Sequence, residues 1–162
     1  AHDCSVMQLR SGAFWMDASM MANTYLLVLD DRVFLVDPGP NGRLNPLVVS
    51  ERRRAAPSDV DDILLTHYDA DHAQSAAEWA RRTSARVWLG APDADMLRTS
   101  RAPRTPLRRV MGRWLPELPH RLVELRGEVE IVPGLRAIPA PGHTPGSYAC
   151  VSSDVAFIGE PQ

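Results

Sequence analysis

The chain has 162 residues, enough for one domain with a substantial core and too few for two domains of ordinary size. Its 18 basic and 20 acidic residues give a net charge of −2, which argues against the basic surface of a nucleic-acid-binding protein. Two cysteines are too few for a disulfide framework, and no apolar run is long enough to span a bilayer. We therefore expect one cytoplasmic domain over residues 1–162 that binds neither nucleic acid nor membrane.

The first predicted elements form a β-hairpin. Two β-rich apolar runs, residues 25–29 and 33–37, are separated by the short acidic turn 30–32, and both strands should be largely buried. The second run stops abruptly at the turn residues 37–40. Residues 44–54 then predict a short helix with an arginine run at its exposed end.

The middle of the chain predicts an α/β layer. Residues 60–66 have the composition of a strand, and residues 73–82 predict a helix whose alanines recur at helical spacing on one narrow face. Another short strand is predicted at 86–89, so the order is strand, helix, strand. Residues 98–121 break this pattern, and their arginines and prolines predict a partly helical surface insertion.

The last third of the chain returns to β-structure. Residues 129–132 and 135–138 predict a hairpin around a Pro-Gly turn. A tight Pro/Gly loop at 141–146 is followed by strands at 148–152 and 155–158.

A dense set of metal-capable side chains follows the buried strand 60–66. His67, Asp69, Asp71 and His72 fall within six residues, between that strand and the next helix. In an extended segment alternate side chains share a side, so the first three can converge, while His72 can turn towards a neighbouring point. Two adjacent metal positions are therefore possible. The alternative is that one aspartate only caps the helix.

Two later features strengthen the metal interpretation. His143 lies between two Pro-Gly pairs, a stiff backbone suited to a ligand of fixed position. Phe157-Ile158-Gly159-Glu160 is a strand that ends in glycine and a carboxylate able to bridge two metals. Taken alone, the His143 loop is also compatible with an ordinary surface turn.

Together these motifs resemble the metallo-β-lactamase superfamily, in particular its glyoxalase II-like metallohydrolases. The family pattern is an N-x-Y strand, a strand ending D-x-G, an H-x-H-x-D-H loop, a G-H-T-x-G turn and a final G-D. The matching segments occur here in the same order at Asn23-Thr24-Tyr25, Asp37-Pro38-Gly39, His67–His72, His143 and Gly159-Glu160.

The resemblance implies an α/β fold of the αβ/βα-sandwich type, with a metal site at the sheet edges. By position, His67, Asp69 and His143 would bind a first divalent metal ion. Asp71 and His72 would bind a second, with Glu160 between the two, and Asp37 would support the site from behind. Family substrates are small esters, thioesters, lactams, lactones or phosphoesters, attacked by a metal-bound hydroxide. Asp71 is the expected catalytic residue that orients this water and accepts its proton, and the alternative is that it only binds the metal.

Two substitutions distinguish this chain from the family pattern. Asp69 replaces the second histidine, and its harder, anionic oxygen moves the preference from the zinc usual in the family towards iron or manganese. This variant motif, H-x-D-x-D-H, resembles the H-x-E-x-D-H arrangement of the flavodiiron oxygen reductases. Glu160 replaces the usual aspartate, and its extra methylene makes bridging geometry less constrained.

The sequence also ends at Gln162, before the final histidine ligand that the family places on the second metal. Two interpretations follow. The printed sequence is a piece of a longer protein, which we favour, or the site lacks this ligand and prefers one metal ion.

The leading functional hypothesis is a metal-dependent hydrolase for a small-molecule substrate, which is anionic if Arg108, Arg109 and Arg113 contact it. We favour the alternative for this segment, an amphipathic turn that packs its apolar residues inward. A non-catalytic binding module ranks second, and an iron-dependent oxidoreductase, suggested by Asp69, ranks third. The sequence does not predict an oligomeric state.

Overall fold

The computed structural model of the protein describes residues 6–10, 12–16, 23–40, 59–99 and 115–160, the first range by its backbone. The predicted helix 44–54 and the arginine-rich residues 104–114 lie outside these ranges, as do Cys4 and His2.

The described strands form two sheets. The larger sheet has seven strands in chain order, and the smaller has four in the order β11-β10-β9-β8. The larger sheet contains β1 Val6–Arg10, β2 Ala13–Met16, β3 Thr24–Leu29, β4 Arg32–Val36, β5 Val60–Leu64, β6 Arg86–Gly90 and β7 Leu122–Leu125. The smaller contains β8 Val129–Val132, β9 Leu135–Pro139, β10 Tyr148–Ser152 and β11 Ala156–Phe157.

The larger sheet changes from antiparallel to parallel at β4. Strands β1 to β4 pair antiparallel, whereas β4, β5, β6 and β7 pair in parallel. Parallel neighbours need crossover connections, and two of these contain the helices α1 Ala70–Ala73, α2 Ala76–Thr83 and α3 Ala91–Thr99. The carboxyl ends of β4 and β5 consequently lie side by side.

Both faces of the larger sheet are covered, which explains its continuous apolar strands. On β4, Val33 and Leu35 belong to the core shared with the helices, where Trp79 is the largest fully buried side chain. Phe34 and Val36 point to the other face and pack with the smaller sheet. The described chain therefore has three layers, helices, large sheet and small sheet, and the α/β prediction is confirmed.

A buried carboxylate joins three strands of the larger sheet. Asp62 on β5 is fully buried and accepts hydrogen bonds from Arg86 Nε and Trp88 Nε1 at 2.9 and 2.8 Å. It also forms an ion pair with Arg32 on β4. Burial of this charge is tolerated because its partners supply the hydrogen bonds that water would otherwise provide.

Several predicted elements are confirmed with shifted boundaries. The hairpin of β3 and β4, the strands β5 and β6, and the strands from β8 to β11 all occur near their predicted positions. The predicted helix 73–82 is instead two helices, α1 and α2, interrupted at Gln74 and Ser75. The predicted insertion 98–121 begins too early, because Arg98 and Thr99 are the last residues of α3.

The sequence patterns did not predict four of the described elements. These are the two edge strands β1 and β2, the helix α3 and the strand β7. Within the described ranges, no helix is both long and apolar enough to cross a membrane.

Candidate metal centre

The first residues of the site lie just after the carboxyl end of β5. His67 follows Thr66 in the loop after β5, and its side chain is 1% exposed. Asp69 occupies the N-cap position of α1, but its side chain makes no capping hydrogen bond. The capping explanation of Asp69 is therefore wrong, since this carboxylate points to another partner.

That partner is His143, 74 residues further along the chain. Its Nε2 lies 2.7 Å from Asp69 Oδ2, and the His67 Nε2 lies 3.7 Å from the same oxygen. The rings of His67 and His143 are edge-on, with centroids 4.8 Å apart. The loop between β9 and β10 thus brings His143 to the His67 loop, as the resemblance implied.

Five of the six residues predicted as ligands fall into two groups that share His67, and the sixth, Glu160, lies beside them. His67, Asp69 and His143 can present one ligand atom each within 4.8 Å of one another. His67, Asp71 and His72 form a second such group, so His67 belongs to both. Glu160 belongs to neither group: its Oε2 lies 3.4 Å from Nδ1 of His143. The bridging role of Glu160 stays a prediction.

Asp37 stands behind both histidines of the His67 loop. Its Oδ2 accepts hydrogen bonds from Thr66 Oγ1 at 2.6 Å and from His72 Nδ1 at 2.9 Å, and its Oδ1 accepts from the Thr66 amide at 2.8 Å. Asp37 has φ of +46°, uncommon for a residue with a side chain. These hydrogen bonds, with that from Thr24 Oγ1 to its carbonyl, hold the conformation.

The hydrogen bonds also determine which ring nitrogens face the site. Thr66 has one hydroxyl hydrogen, which it donates to Asp37, so its oxygen must accept from His67 Nδ1 at 3.0 Å. His72 likewise donates from Nδ1 to Asp37. Both rings therefore carry their proton on Nδ1 and keep a lone pair on Nε2, the arrangement of a metal-binding histidine with an outer hydrogen-bond partner.

The pKa values of these two histidines shift in opposite directions. Burial lowers the pKa of His67, and the neighbouring His72 lowers it further against the opposing charges of Asp37 and Asp69. Burial would also lower the pKa of His72, but its hydrogen bond to Asp37 and the charges of Asp37, Asp71 and Glu160 raise it overall. His67 is therefore the more readily available neutral ligand.

The donor set fits a divalent cation. His67 Nε2 is buried and has no hydrogen-bond partner among the described residues. An unpaired buried acceptor is costly, and a cation bonded to its lone pair would remove that cost. Imidazole and carboxylate together suit zinc, iron or manganese. The donors also become more exposed outwards, from 1% for His67 to 54% for Glu160, which leaves the mouth open to solvent.

Two residues at the site were not identified from the sequence. Thr66 sets the tautomer of His67, and its position just before the histidine was the available signal. Asp93, on α3, is fully buried and bonds to Tyr68, Thr144 and Gly146. An aspartate in the first turn of a helix ordinarily indicates capping or a favourable helix dipole, so the local sequence gives no sign of this role.

Comparison with known proteins agrees with the geometry. The family described as the metallo-beta-lactamase superfamily matches residues 19–160. The chain is 31% identical over 133 residues to the uncharacterized protein YobT of Bacillus subtilis (strain 168), covering 78% of this chain and 55% of YobT. It is 28% identical over 149 residues to YqgX, named a probable metallo-hydrolase, of the same organism, covering 86% and 68%.

A solved structure shows the same fold. The metallo-beta-lactamase GOB-18 from Elizabethkingia meningoseptica superposes with a TM-score of 0.70 at 17% identity, covering 95% of this chain and 59% of that one. The chain thus spans a little over half the length of YobT and of GOB-18.

Proposed function

The chain belongs to the metallo-β-lactamase superfamily, and we propose that it supplies the metal-binding part of a hydrolase for a small ester, thioester, lactone or phosphoester. The name of YqgX, a probable metallo-hydrolase, supports the reaction class. The observation that carries the proposal is the buried Nε2 of His67, which has no hydrogen-bond partner in the described part of the chain and is faced by carboxylates and imidazoles from two distant loops. We further propose that the protein acts in the cytoplasm on a small molecule.

The residues of the site suggest two cation positions. His67, Asp69 and His143 would hold the first ion, and Asp71 with His72 would hold the second. Glu160 lies at the mouth, beside His143, where a longer carboxylate can reach inward. Because His67 belongs to both groups, an ion at the second position would compete with the first ion for its Nε2.

A divalent ion bound there would polarise an acyl or phosphoryl oxygen and lower the pKa of a bound water. The residues of the chain would do the remaining work. Asp71, one quarter exposed and 3.7 Å from His72 Nε2, would accept the proton of the attacking water. Cys150 is buried in the core between the sheets and is therefore not placed to act as a nucleophile.

A second candidate is an oxygen-reactive iron site. The observation that favours it is Asp69, a carboxylate ligand in the first group, where its Oδ2 lies 2.7 Å from His143 Nε2. A hard oxygen donor at this position suits iron. Analysis of the metal content of protein purified without added metal, with an oxygen electrode, separates the two functions. Iron with oxygen uptake would support the second candidate, and zinc or manganese without it would support the hydrolase.

The hydrolase is tested by removing and restoring the metal. Purified protein is assayed on chromogenic esters, thioesters, lactones and phosphodiesters, then treated with a chelator, and then reloaded with Zn²⁺, Mn²⁺ or Fe²⁺. We expect hydrolysis of at least one class to disappear with the chelator and to return with one metal. Hydrolysis that persists in excess chelator would contradict the proposal.

Two histidine variants provide the matched pair. His67→Asn removes the ligand that both groups share. We expect hydrolytic activity to fall at least about 100-fold, more than the ~10–100-fold typical when a residue that only supports a metal ligand is changed. His120 is an exposed turn residue outside both groups, so His120→Asn should keep wild-type activity and metal content.

A further inference from the structure

Asp93 lies beneath the two loops that carry the first group of ligands. It is the third residue of α3, in the crossover that follows β6, and its side chain is fully buried. The ligands themselves come from the loop after β5 and from the loop between β9 and β10. Neither loop is covalently close to Asp93, yet all three segments meet at its carboxylate.

The carboxylate binds one group from the first loop and two from the second. Asp93 Oδ2 accepts hydrogen bonds from the Tyr68 amide at 3.1 Å and from Thr144 Oγ1 at 2.8 Å. Asp93 Oδ1 accepts from the Gly146 amide at 2.8 Å. Tyr68 lies between the ligands His67 and Asp69, and Thr144 directly follows His143. The carboxylate therefore holds a residue adjacent to a ligand in each loop, and it also holds Gly146, three residues after His143.

The backbone packs closely around this carboxylate. A Cβ built on Gly146 would lie 2.4 Å from Asp93 Oδ1, and one built on Gly90 would lie 2.1 Å from the carbonyl oxygen of Gly146. Glycine at both positions lets the His143 loop approach the start of α3. A longer acidic side chain at position 93 would push the loop away, because no space separates the carboxylate from Gly146.

We propose that Asp93 is a positioning residue that holds the His143 loop against the His67 loop, so that the first group of ligands is assembled before a cation binds. This inference rests on the proposed metal site. The three hydrogen bonds that Asp93 accepts take the place of bonds to water that the loops would otherwise make. Because both loops are bonded to this one carboxylate, Asp93 sets the distance between His143 and Asp69. A site assembled beforehand binds metal more tightly, since less ordering accompanies binding.

The test compares variants that alter the anchor with one that does not. Asp93→Asn replaces one carboxylate oxygen by an NH₂ group. This group then faces the backbone amide of either Tyr68 or Gly146, so that two hydrogen-bond donors oppose each other at one of the two loops. Thr144→Val removes the hydrogen bond to Asp93 and the one between Thr144 Oγ1 and Ser147 Oγ, with little change of volume, whereas Thr144→Ser retains the hydroxyl and both bonds. Asp95→Asn is the matched control, because Asp95 is an exposed partner of Arg98 on the same helix.

Two measurements are made on each purified protein. The first is Zn²⁺ affinity, measured by competition with a chromophoric chelator. It is compared among variants whose metal-free forms have the same thermal stability as the wild type. The second is hydrogen exchange of the Tyr68 and Gly146 amides in metal-free protein. We expect Asp93→Asn to bind Zn²⁺ about 10–100-fold more weakly, Thr144→Val to fall between it and the wild type, and Thr144→Ser and Asp95→Asn to match the wild type. The two amides should lose protection selectively in Asp93→Asn.

The outcomes separate the anchor from the metal site. If the wild type binds Zn²⁺ and folded Asp93→Asn binds it within twofold, the positioning role is wrong and the proposed function stands. If the wild type binds neither Zn²⁺, Mn²⁺ nor Fe²⁺, the proposed function itself fails. If Asp93→Asn does not fold, the Thr144 pair decides: equal Zn²⁺ affinity of Thr144→Val and Thr144→Ser would overturn the inference.

Discussion

The hydroxyl of Thr66 connects the carboxylate of Asp37 to the ring of His67. Because it donates to Asp37, it can only accept from His67 Nδ1, and this leaves the His67 Nε2 lone pair directed at the site. One hydroxyl therefore does two things: it satisfies a buried carboxylate and selects a tautomer. Outer partners of this kind commonly orient metal-binding histidines.

Replacing Thr66 by valine should weaken metal binding while keeping the shape of the residue. Thr66→Val leaves His67 Nδ1 without an acceptor and Asp37 without one donor, so we expect Zn²⁺ affinity to fall about 10–100-fold. Thr66→Ser, which keeps the hydroxyl, should retain most of the affinity. The measurement is a chelator competition titration, and equal affinity of the valine and serine variants would show that the hydroxyl does not set the tautomer.

The residues of the site differ in how visible they are in the sequence. His67, Asp69, Asp71 and His72 form a local cluster that chance rarely produces, so the sequence alone predicts metal binding at this loop. Asp93 has no such signal. Its partners lie 25, 51 and 53 residues away, and only the fold brings them together.

Helices and strands follow the sequence where one physical effect dominates. In β4 the four residues after Arg32 are apolar and buried, as is typical of a strand covered on both faces, so the prediction succeeds there. The helix predicted at 73–82 is broken because Ser75 donates from Oγ to the Gly39 carbonyl at 2.8 Å and from its amide at 3.0 Å. That tertiary contact outweighs the local helical preference.

The strand β7 and helix α3 were missed for a related reason. β7 is short and only partly buried at the edge of the sheet, with Glu124 bonded to Arg98, so its apolar pattern is weak. α3 begins with Ala91 and Pro92 directly after β6 and has little amphipathic contrast. The signal for α3 in the sequence is this proline, because proline in the first turn favours the start of a helix.

The smaller sheet gives a prediction about cysteine reactivity. Cys150 on β10 is packed between the sheets, and burial raises the pKa of its thiol to about 12. At pH 8 such a thiol stays protonated, whereas the thiolate is the reactive form. In a Cys4→Ser variant, we expect no reaction with an aromatic disulfide reagent in native buffer. After the protein is unfolded in guanidinium, one equivalent of thiol per chain, that of Cys150, should react. Stoichiometric reaction in native buffer would contradict the packing of β10.

At the scale of the whole molecule, the topology accounts for the site. The switch to parallel pairing at β4 places the ends of β4 and β5 together, which brings Asp37 beside Thr66. The loops of the smaller sheet then place His143 and Glu160 at the same edge. The order of motifs in the sequence predicts this arrangement through a family resemblance, whereas the distances between them follow only from packing of the two sheets.

We propose that Asp69 and His143, which lie 74 residues apart in the sequence, bind one cation together with His67. The most direct test is anomalous X-ray scattering at the metal absorption edges, on crystals of protein purified in medium containing trace zinc, manganese and iron. The account predicts one well-occupied peak bonded to His67 Nε2, Asp69 and His143 Nε2, identified by its edge. A crystal with no peak there, or with His143 turned away from the His67 loop, would contradict it.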